Sequence, residues 1–473
     1  MKKLLYITNS RIPTEKAHGI QIMKMCQAFV SAGSEVELVL PRRKNIINKN
    51  PFEYYQVPKS FKIKWVICID PRILLKLPQG VYTKFQSASF IISLFFYLLF
   101  KRNKKDSIFY TREEYLLAVL HLFSRKVVWE GHKLTKNKSL YIKSWQKCKK
   151  IIVLTEAMKK EMISFGIEEK KILVAADAVD LDDFTVTVSK SDARRELGFP
   201  HDKKIIMYAG HLYGWKGASV LLEAARLLSS PPHEEGQGEV LENMDTMTPS
   251  QSPPHEGEKK GVVFVFVGGT DSDIKKFKQK AEELGLLGQD IRGNQSSNSQ
   301  ESVNKSVEIR GQNQWKSEVL ILGHKPHQEI PKYLAAADVL VLPTSGKSEI
   351  GRSYTSPMKM FEYMAAGKPI VASDIPALRE ILYDYPRQST TPSPSVERVG
   401  ERLKDSSQSA QYGNAILVKP DNPKALAEGI EKVLIDQTLA RAIAAQAAED
   451  AKQYTWETRA RSILKFILWS YKP

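Results

Sequence analysis

Two stretches of this sequence combine residue types that could grip a phosphorylated ligand. In YAGHLYGWKG (208–217) an apolar run ends at Gly210 and a helix is expected to begin near Lys216. Backbone amides at a helix start, with a lysine beside them, aim positive charge at one spot and suit an anion such as a pyrophosphate. Gly210, Gly214 and Gly217 would let the backbone approach that anion. The plainer reading is a glycine-rich turn carrying a surface lysine. In SYTSPMKMFEYMAAGKPIVASD (353–374) Ser356 suits a helix N-cap and Pro357 the first helical position. Lys359, just after Met358, then falls in the first turn, where a cation opposes the helix dipole. An anionic ligand at that terminus would explain it. Glu362 lies on roughly the same face, where a carboxylate could accept hydrogen bonds from two ribose hydroxyls. The plainer reading is a surface Lys–Glu pair.

Residues in such roles need strand ends and helix starts to hold them. Short β-branched runs at KLLYIT (3–8), VELVL (36–40), FKIKWVI (61–67), IFYTR (108–112), VVWE (127–130), IIVLT (151–155) and ILVAA (172–176) predict strands. Helical patterns alternate with them, such as IQIMKMCQAFVSAG, which Gly33 ends. The pattern restarts with IIMYAG (205–210), VVFVFVGG (262–269), VLILG (319–323), DVLVLP (338–343), PIVAS (369–373) and AILVKP (415–420). Such near-continuous apolar runs are what parallel strands covered on both faces require.

The predicted fold class is therefore α/β, with two doubly wound Rossmann-like domains in series. Their expected bounds are 1–180 and 201–455, with a linker at 181–200 and a C-terminal helix at 456–473. Residues 229–260, 289–318 and 386–412 are rich in Ser, Pro, Gln, Asn, Glu and Gly, and are expected to be disordered insertions. SPPHEEGQGE (230–239) and SPPHEGE (252–258) are near copies and read as a duplicated insertion.

Apolar residues make up 42% of the chain and charged residues 26%, as in an ordinary globular protein. Cys26, Cys68 and Cys148 form no CxxC pair, which points to a reducing compartment and away from a zinc site. The opening MKKLLYITNS is too briefly apolar for a signal peptide and reads as a first strand. Charge is uneven. Residues 1–180 hold 33 Lys and Arg against 15 Asp and Glu, while the remainder is nearly balanced. The basic half would be drawn to anionic lipid, nucleic acid or an anionic acceptor; solvated lysines are the bland alternative. No stacking aromatics in register support nucleic-acid binding. In VYTKFQSASFIISLFFYLLF (81–100) the uninterrupted apolar core is short of the ~20 residues that a membrane span needs. A buried helix, a helix in the membrane interface beside KRNKK, and a true span all remain open.

GHLYGWKG, Val179-Asp180 with Phe184, AADVLVLPT and SPMKMFEYMAAGKPIVASD together resemble family 4 retaining glycosyltransferases of the GT-B fold. The resemblance spans both domains outside the insertions and is densest in the second. It implies a hexosyltransferase-type enzyme that moves a sugar from a nucleotide sugar, such as a UDP- or GDP-sugar, with retention. The acceptor would be a glycan or lipid-linked, in cell-surface polysaccharide synthesis, with the protein cytoplasmic or peripheral on the inner face of the plasma membrane. It also implies that Glu362 is the ribose-binding member of an E-x7-E pair, whose first position here is Tyr354, with Glu349 a near substitute. Lys216 matches the lysine of G-R-x4-K-G, and His211 stands at the arginine. Gly19, after the first strand and before a helix, matches a glycine loop facing the cleft. His132, just past a strand, matches a histidine near the donor sugar, although a lone histidine is more often structural. Arg112 in TRE could meet an acceptor anion. His132, Lys216 and Glu362 are thus the catalytic candidates. Gly19, Gly210, His211, Gly217, Pro357, Met358 and Lys359 are the donor-binding ones.

Charge developing on the leaving β-phosphate would be met by Lys216, His211 and the helix terminus before Lys359, without a metal or other cofactor. DSD at 271–273 follows VGG but starts a helix and reads as its cap. Two other functions fit the same motifs: a GT-B-fold sugar-nucleotide epimerase, and a degenerate, non-catalytic nucleotide-sugar binder.

Overall fold

The structure is a computed structural model describing residues 2–70, 79–102, 104–184, 188–229, 261–286, 317–383 and 413–469. The bodies of the three expected insertions lie outside the described residues. At their edges Ser229 ends a helix and Ser317 opens a strand.

The first layer runs β1 (Lys2–Ile7), α1 (Ala17–Ser31), β2 (Ser34–Arg42), α2 (Pro51–Tyr54), β3 (Lys62–Ile67), α3 (Gln79–Phe100), β4 (Ser107–Thr111), α4 (Leu117–Phe123), β5 (Val127–Gly131), α5 (Ile142–Lys147), β6 (Lys150–Val153), α6 (Glu156–Ser164) and β7 (Ile172–Val174). The chain then crosses through α7 (Leu181–Phe184) and α8 (Lys190–Leu197). The second layer holds β8 (Lys204–Ala209), α9 (Ala218–Ser229), β9 (Val262–Val267), α10 (Asp271–Glu283), β10 (Ser317–Leu322), α11 (Ile330–Ala336), β11 (Val339–Leu342), α12 (Met358–Ala365), β12 (Ile370–Ser373), α13 (Pro376–Leu382), β13 (Ile416–Val418), α14 (Pro423–Ile435) and α15 (Gln437–Ala451). A last helix, α16 (Trp456–Trp469), follows.

All strand pairs are parallel, in sheet orders β3-β2-β1-β4-β5-β6-β7 and β10-β9-β8-β11-β12-β13. Each order reverses once, beside β1 and beside β8, which opens a crevice at the carboxyl ends of the strands. The expected apolar runs all lie in strands, and apart from the edge strand β3 these are largely buried, as strands covered by helices on both faces must be.

The final helix does not stay with the layer that precedes it. Trp456, Ala460, Ile463, Leu464 and Ile467 recur at helical spacing and are buried with α1 residues in the first layer's core. Each side chain as large as Ile or Leu contributes roughly 1.5–3 kcal/mol there. Between them Arg459, 5% exposed, donates from Nη2 to Glu130 Oε1 at 2.6 Å. It also donates to the carbonyls of Ala176 (2.7 Å) and Ala175 (3.2 Å). Glu130 is fully buried; burial alone would raise its pKa, but Arg459 holds it well below the usual range.

Helix α3 departs from the reading as a buried helix. Gln86, Phe90, Leu94 and Leu98 pack inward, while Val81, Phe85, Ile92, Phe96, Leu99 and Phe100 are exposed. Val81–Phe100 is long and apolar enough to cross a membrane by length and composition, and only 22% of its most apolar stretch is buried.

Removing one partner of a buried ion pair strands the other charge. Arg459→Ala should therefore cost about 3–5 kcal/mol, read as a lower denaturant midpoint at unchanged slope. Adding Glu130→Ala should recover part of that loss. A single-variant cost below about 1 kcal/mol would contradict a structural role of this size.

Candidate functional site

Between the two layers lies a cavity of about 1030 Å³. It is lined from the segments after β1, β4, β5 and β7 of one sheet and after β8, β9, β10 and β11 of the other. Both sheets therefore present the carboxyl ends of their strands to one space, where ligands of such sheets bind.

The second layer's wall is cationic. After β8, Gly210 lines the cavity, and a tight turn at Gly214–Lys216 leads into α9. Gly217 does not line it. With φ +73° it packs so closely that a Cβ would lie 1.6 Å from the Pro343 carbonyl oxygen, so its glycine fixes the turn that carries Lys216. Lys216 Nζ lies 4.0 Å from the centroid of the Trp215 ring, and burial lowers its pKa to about 8. Lys359 Nζ is buried, lies over the Tyr208 ring at 3.9 Å, and makes no hydrogen bond among the described residues. Burial, then the charge on Lys216, push its pKa well below the lysine range. His211 stacks on Tyr213, and burial followed by Lys216 lowers its pKa. Three nitrogen bases thus converge, and among the described residues none of them forms an ion pair. Buried cations are costly unless paired, so this wall is built for an anion. Pro357 and Met358 line the cavity beside them.

One expectation about this wall is corrected, and another, that DSD starts and caps a helix, holds. Ser356 does not cap α12: Pro357 holds the cap position with no side-chain hydrogen bond, and Ser356 Oγ instead accepts the Asp177 N–H at 2.9 Å. DSD at 271–273 forms the first turn of α10 behind Thr270, whose side chain and that of Asp273 make a reciprocal capping box.

Glu362 is no surface partner of Lys359. Its Oε1 accepts from His327 Nε2 at 3.0 Å. Burial opposes charge on His327, but this hydrogen bond and the Glu362 charge raise its pKa. The sequence reading missed His327. Its signal was its place in HKPHQE, directly after an apolar strand.

The first layer's wall is organised by Glu130. Its Oε1 accepts from Gln21 Nε2 (3.0 Å) and His132 Nε2 (3.0 Å), and its Oε2 from the Tyr110 hydroxyl (2.7 Å). A carboxylate only accepts, so the His132 proton sits on Nε2 and Nδ1 keeps its lone pair. Burial, then Arg112, lower the His132 pKa, which makes it a neutral ring with an acceptor nitrogen. Arg112 lines the cavity and donates to Gln21 Oε1. His18 lines it too, with burial lowering its pKa to about 3. Gly19 is not before α1 but in its first turn, and it does not line the cavity. A Cβ there would meet the Tyr55 hydroxyl at 2.1 Å, so this glycine lets α1 seat against Tyr55.

Tyr354 lies at the cavity's edge, in a π-helical turn spanning Ile350–Tyr354. Its hydroxyl contacts Glu161 Oε2 (2.6 Å) and Glu349 Oε1 (2.7 Å), and Lys138 joins both carboxylates. Glu349 therefore does not stand in for the missing carboxylate; it is held in a clasp between the two layers and does not line the cavity.

The family model for glycosyl transferases group 1 matches residues 189–410. The D-inositol 3-phosphate glycosyltransferase of Corynebacterium urealyticum is 23% identical over 306 residues, 64% of this chain. The match spans 52% of that relative, so the chain covers about half its length. Residues 189–410 are thus similar to the group 1 glycosyltransferases. Among solved structures, sucrose-phosphate synthase from Thermosynechococcus elongatus superposes with a TM-score of 0.63 at 15% identity, over 100% of both chains. The Anabaena protein HepE, in complex with UDP-glucose, gives 0.61 at 16% identity, over 98% of this chain and 99% of that one. At such identities the likeness establishes the shared two-domain GT-B fold.

An anion in this cavity favours protonated lysines, so its binding takes up protons. As pH rises through about 8, Lys216 in the empty site loses its charge and affinity for an anion falls. Calorimetric titration of UDP or GDP between pH 6.5 and 9.5, in buffers of different ionisation heat, should show net proton uptake. Affinity should drop at least tenfold across the alkaline limb. A flat profile would mean that neither lysine meets the ligand.

Proposed function

We propose that the enzyme transfers a hexose from a nucleoside diphosphate sugar to a hydroxyl of a glycan or lipid-linked acceptor. The observation that carries this reading is Lys359, whose buried amine makes no hydrogen bond among the described residues and shares with Lys216 one wall of a cavity between two Rossmann-like layers. In the proposed mechanism the diphosphate lies against Lys216, Lys359 and the first amides of α12, and these groups stabilise charge growing on the leaving β-phosphate. The lysines supply positive charge that a metal would otherwise bring, and the reading is metal-independent on that ground. Glu362, oriented by His327, accepts from the ribose hydroxyls. The Nδ1 lone pair of His132 accepts from a sugar hydroxyl. Retention of configuration rests on the family resemblance. The UDP-glucose complex of HepE supports a nucleotide-sugar donor.

A membrane-borne acceptor, as in cell-surface polysaccharide synthesis, fits the exposed side of the first layer. The outer face of α3 lies beside the edge strand β3, where Trp65, Ile67 and Ile69 are exposed together with Lys62 and Lys64, and Arg102 is exposed just past the helix. Apolar side chains bordered by cations match the boundary between acyl chains and anionic headgroups. The enzyme would then work on the inner, cytoplasmic face of the plasma membrane.

A panel of nucleotide sugars scored by thermal shift tests the donor site, since a ligand of the native state raises the melting temperature by mass action. One should stabilise the wild type by several degrees, and Lys216→Ala and Glu362→Ala should each lose most of that shift. No shift in the wild type, or full shifts in both variants, would reject the assignment. Transfer that requires an added acceptor separates a transferase from an epimerase, and binding without turnover identifies a degenerate binder.

Flotation with vesicles tests the membrane face. Wild type should float with anionic vesicles at low salt and not with zwitterionic ones. Phe85→Glu with Phe96→Glu should abolish flotation without changing donor binding. Wild type that remains unbound to anionic vesicles would remove this part of the reading.

A further inference from the structure

Asp177 follows β7, where the chain leaves the first layer, and is among the residues that line the cavity. It is only 7% exposed, and its Oδ1 is sealed from solvent with no hydrogen-bond partner among the described residues. A carboxylate oxygen left this way is costly, and native structures seldom leave one so without a use. The backbone cannot carry it elsewhere. The Asp177 N–H is bound to Ser356 Oγ, and the two preceding carbonyls are bound to Arg459.

These anchors also fix what the carboxylate would meet. Ser356 opens the turn that carries Lys359, so Asp177 lies beside the wall that takes the anion. On its other side it is close enough to His132 and Arg459 for its charge to act on both. A second phosphate or carboxylate would be repelled there, whereas a hydroxyl would give a charge-assisted hydrogen bond, shorter and stronger than a neutral one. Of the other cavity carboxylates, Glu15 and Glu53 are exposed to solvent, Glu362 is engaged by His327, and Asp183 lies 3.8 Å from Lys24.

We propose that Asp177 binds a hydroxyl of the transferred sugar, in the space between the diphosphate wall and His132. This rests on the nucleotide-sugar reading above and adds a specificity residue to it. Asp177 separates sugar nucleotide from bare nucleotide, since a site built to accept from a hydroxyl discriminates against ligands that lack it.

The test compares UDP and GDP with UDP-glucose, UDP-galactose and GDP-mannose by calorimetry, using the full chain and its Asp177→Ala and Asp177→Asn variants. Both variants should bind the preferred nucleoside diphosphate as the wild type does, or more tightly, because a negative charge near the phosphates has gone. The affinity of the matching sugar nucleotide relative to that diphosphate should fall at least tenfold in the alanine variant and at least threefold in the asparagine variant. Asparagine keeps the shape and the backbone bond to Ser356, so it carries the test if alanine lowers the melting temperature. A sugar-to-nucleotide ratio within twofold of wild type in Asp177→Asn, and in Asp177→Ala where that variant folds, overturns the proposal. Failure of the wild type to bind either diphosphate would overturn the donor site itself, and this proposal with it.

Discussion

The site depends first on one buried ion pair. Glu130, at the end of β5, and Arg459, in the first turns of α16, are 329 residues apart and in direct contact. Two charges withdrawn from water are a net cost unless every remaining donor and acceptor is matched. Here the matching partners are the parts of the site. Glu130 accepts from Gln21, His132 and Tyr110, and Arg459 donates to the carbonyls of Ala175 and Ala176. The pair therefore sets the tautomer of His132, holds the amide that binds Arg112, and fixes the backbone on which Asp177 follows. A hydrophobic pair of equal volume could anchor α16 as well, but it could not orient an imidazole.

The two walls of the cavity are chemically unlike, and that difference assigns their tasks. The second layer gathers Lys216, Lys359 and His211, each with its protonated form disfavoured by burial, and the latter two also by the charge on Lys216. In the empty site this is stored electrostatic cost, and an anion would relieve it. The first layer offers a neutral imidazole with an acceptor nitrogen and, just beyond β7, a carboxylate short of a partner. Hydroxyls suit that wall and phosphates do not. A ligand with a diphosphate at one end and a sugar at the other satisfies both walls only in one orientation.

How far the sequence revealed this arrangement follows from the range of each interaction. Strands were legible because a parallel strand covered on both faces is an apolar run, a property local to a few residues. Lys216 and Lys359 were legible because each breaks a local rule, a cation placed where a turn or helix N-terminus already carries positive charge. Ser356 obeyed the local capping rule and yet was recruited by Asp177, 179 positions away. His327 becomes significant only when β10 and α12 set it against Glu362, and no spacing encodes that. Gly19 was rightly singled out as a glycine, but its reason is Tyr55 behind it and not a ligand in front. The apolar core of residues 81–100 predicted a helix. Which side of it would be covered depends on the neighbours that β3 and α4 supply.

The return of α16 to the first layer has a consequence for how the cavity is held. The chain crosses between the layers twice, and the crossings run together: Val179 N–H bonds the Tyr454 carbonyl, and Val179 bridges Thr455 in parallel. Lys24 of α1 reaches Asp180 at 2.6 Å across the same place. On the opposite edge of the cleft Thr155 donates to the Ser353 carbonyl, and Tyr354 is clasped with Glu161, Glu349 and Lys138. The first edge is made of backbone bonds and a buried arginine, while the second is made of side-chain contacts in which Thr155 and Tyr354 are buried and Lys138, Glu161 and Glu349 reach solvent. Asp177 and His132 belong to the first layer, while Lys216 and Lys359 belong to the second. Binding of an anion to the lysines and of a hydroxyl to Asp177 would draw the two walls together, which ties closure of the cleft to a ligand that carries both groups.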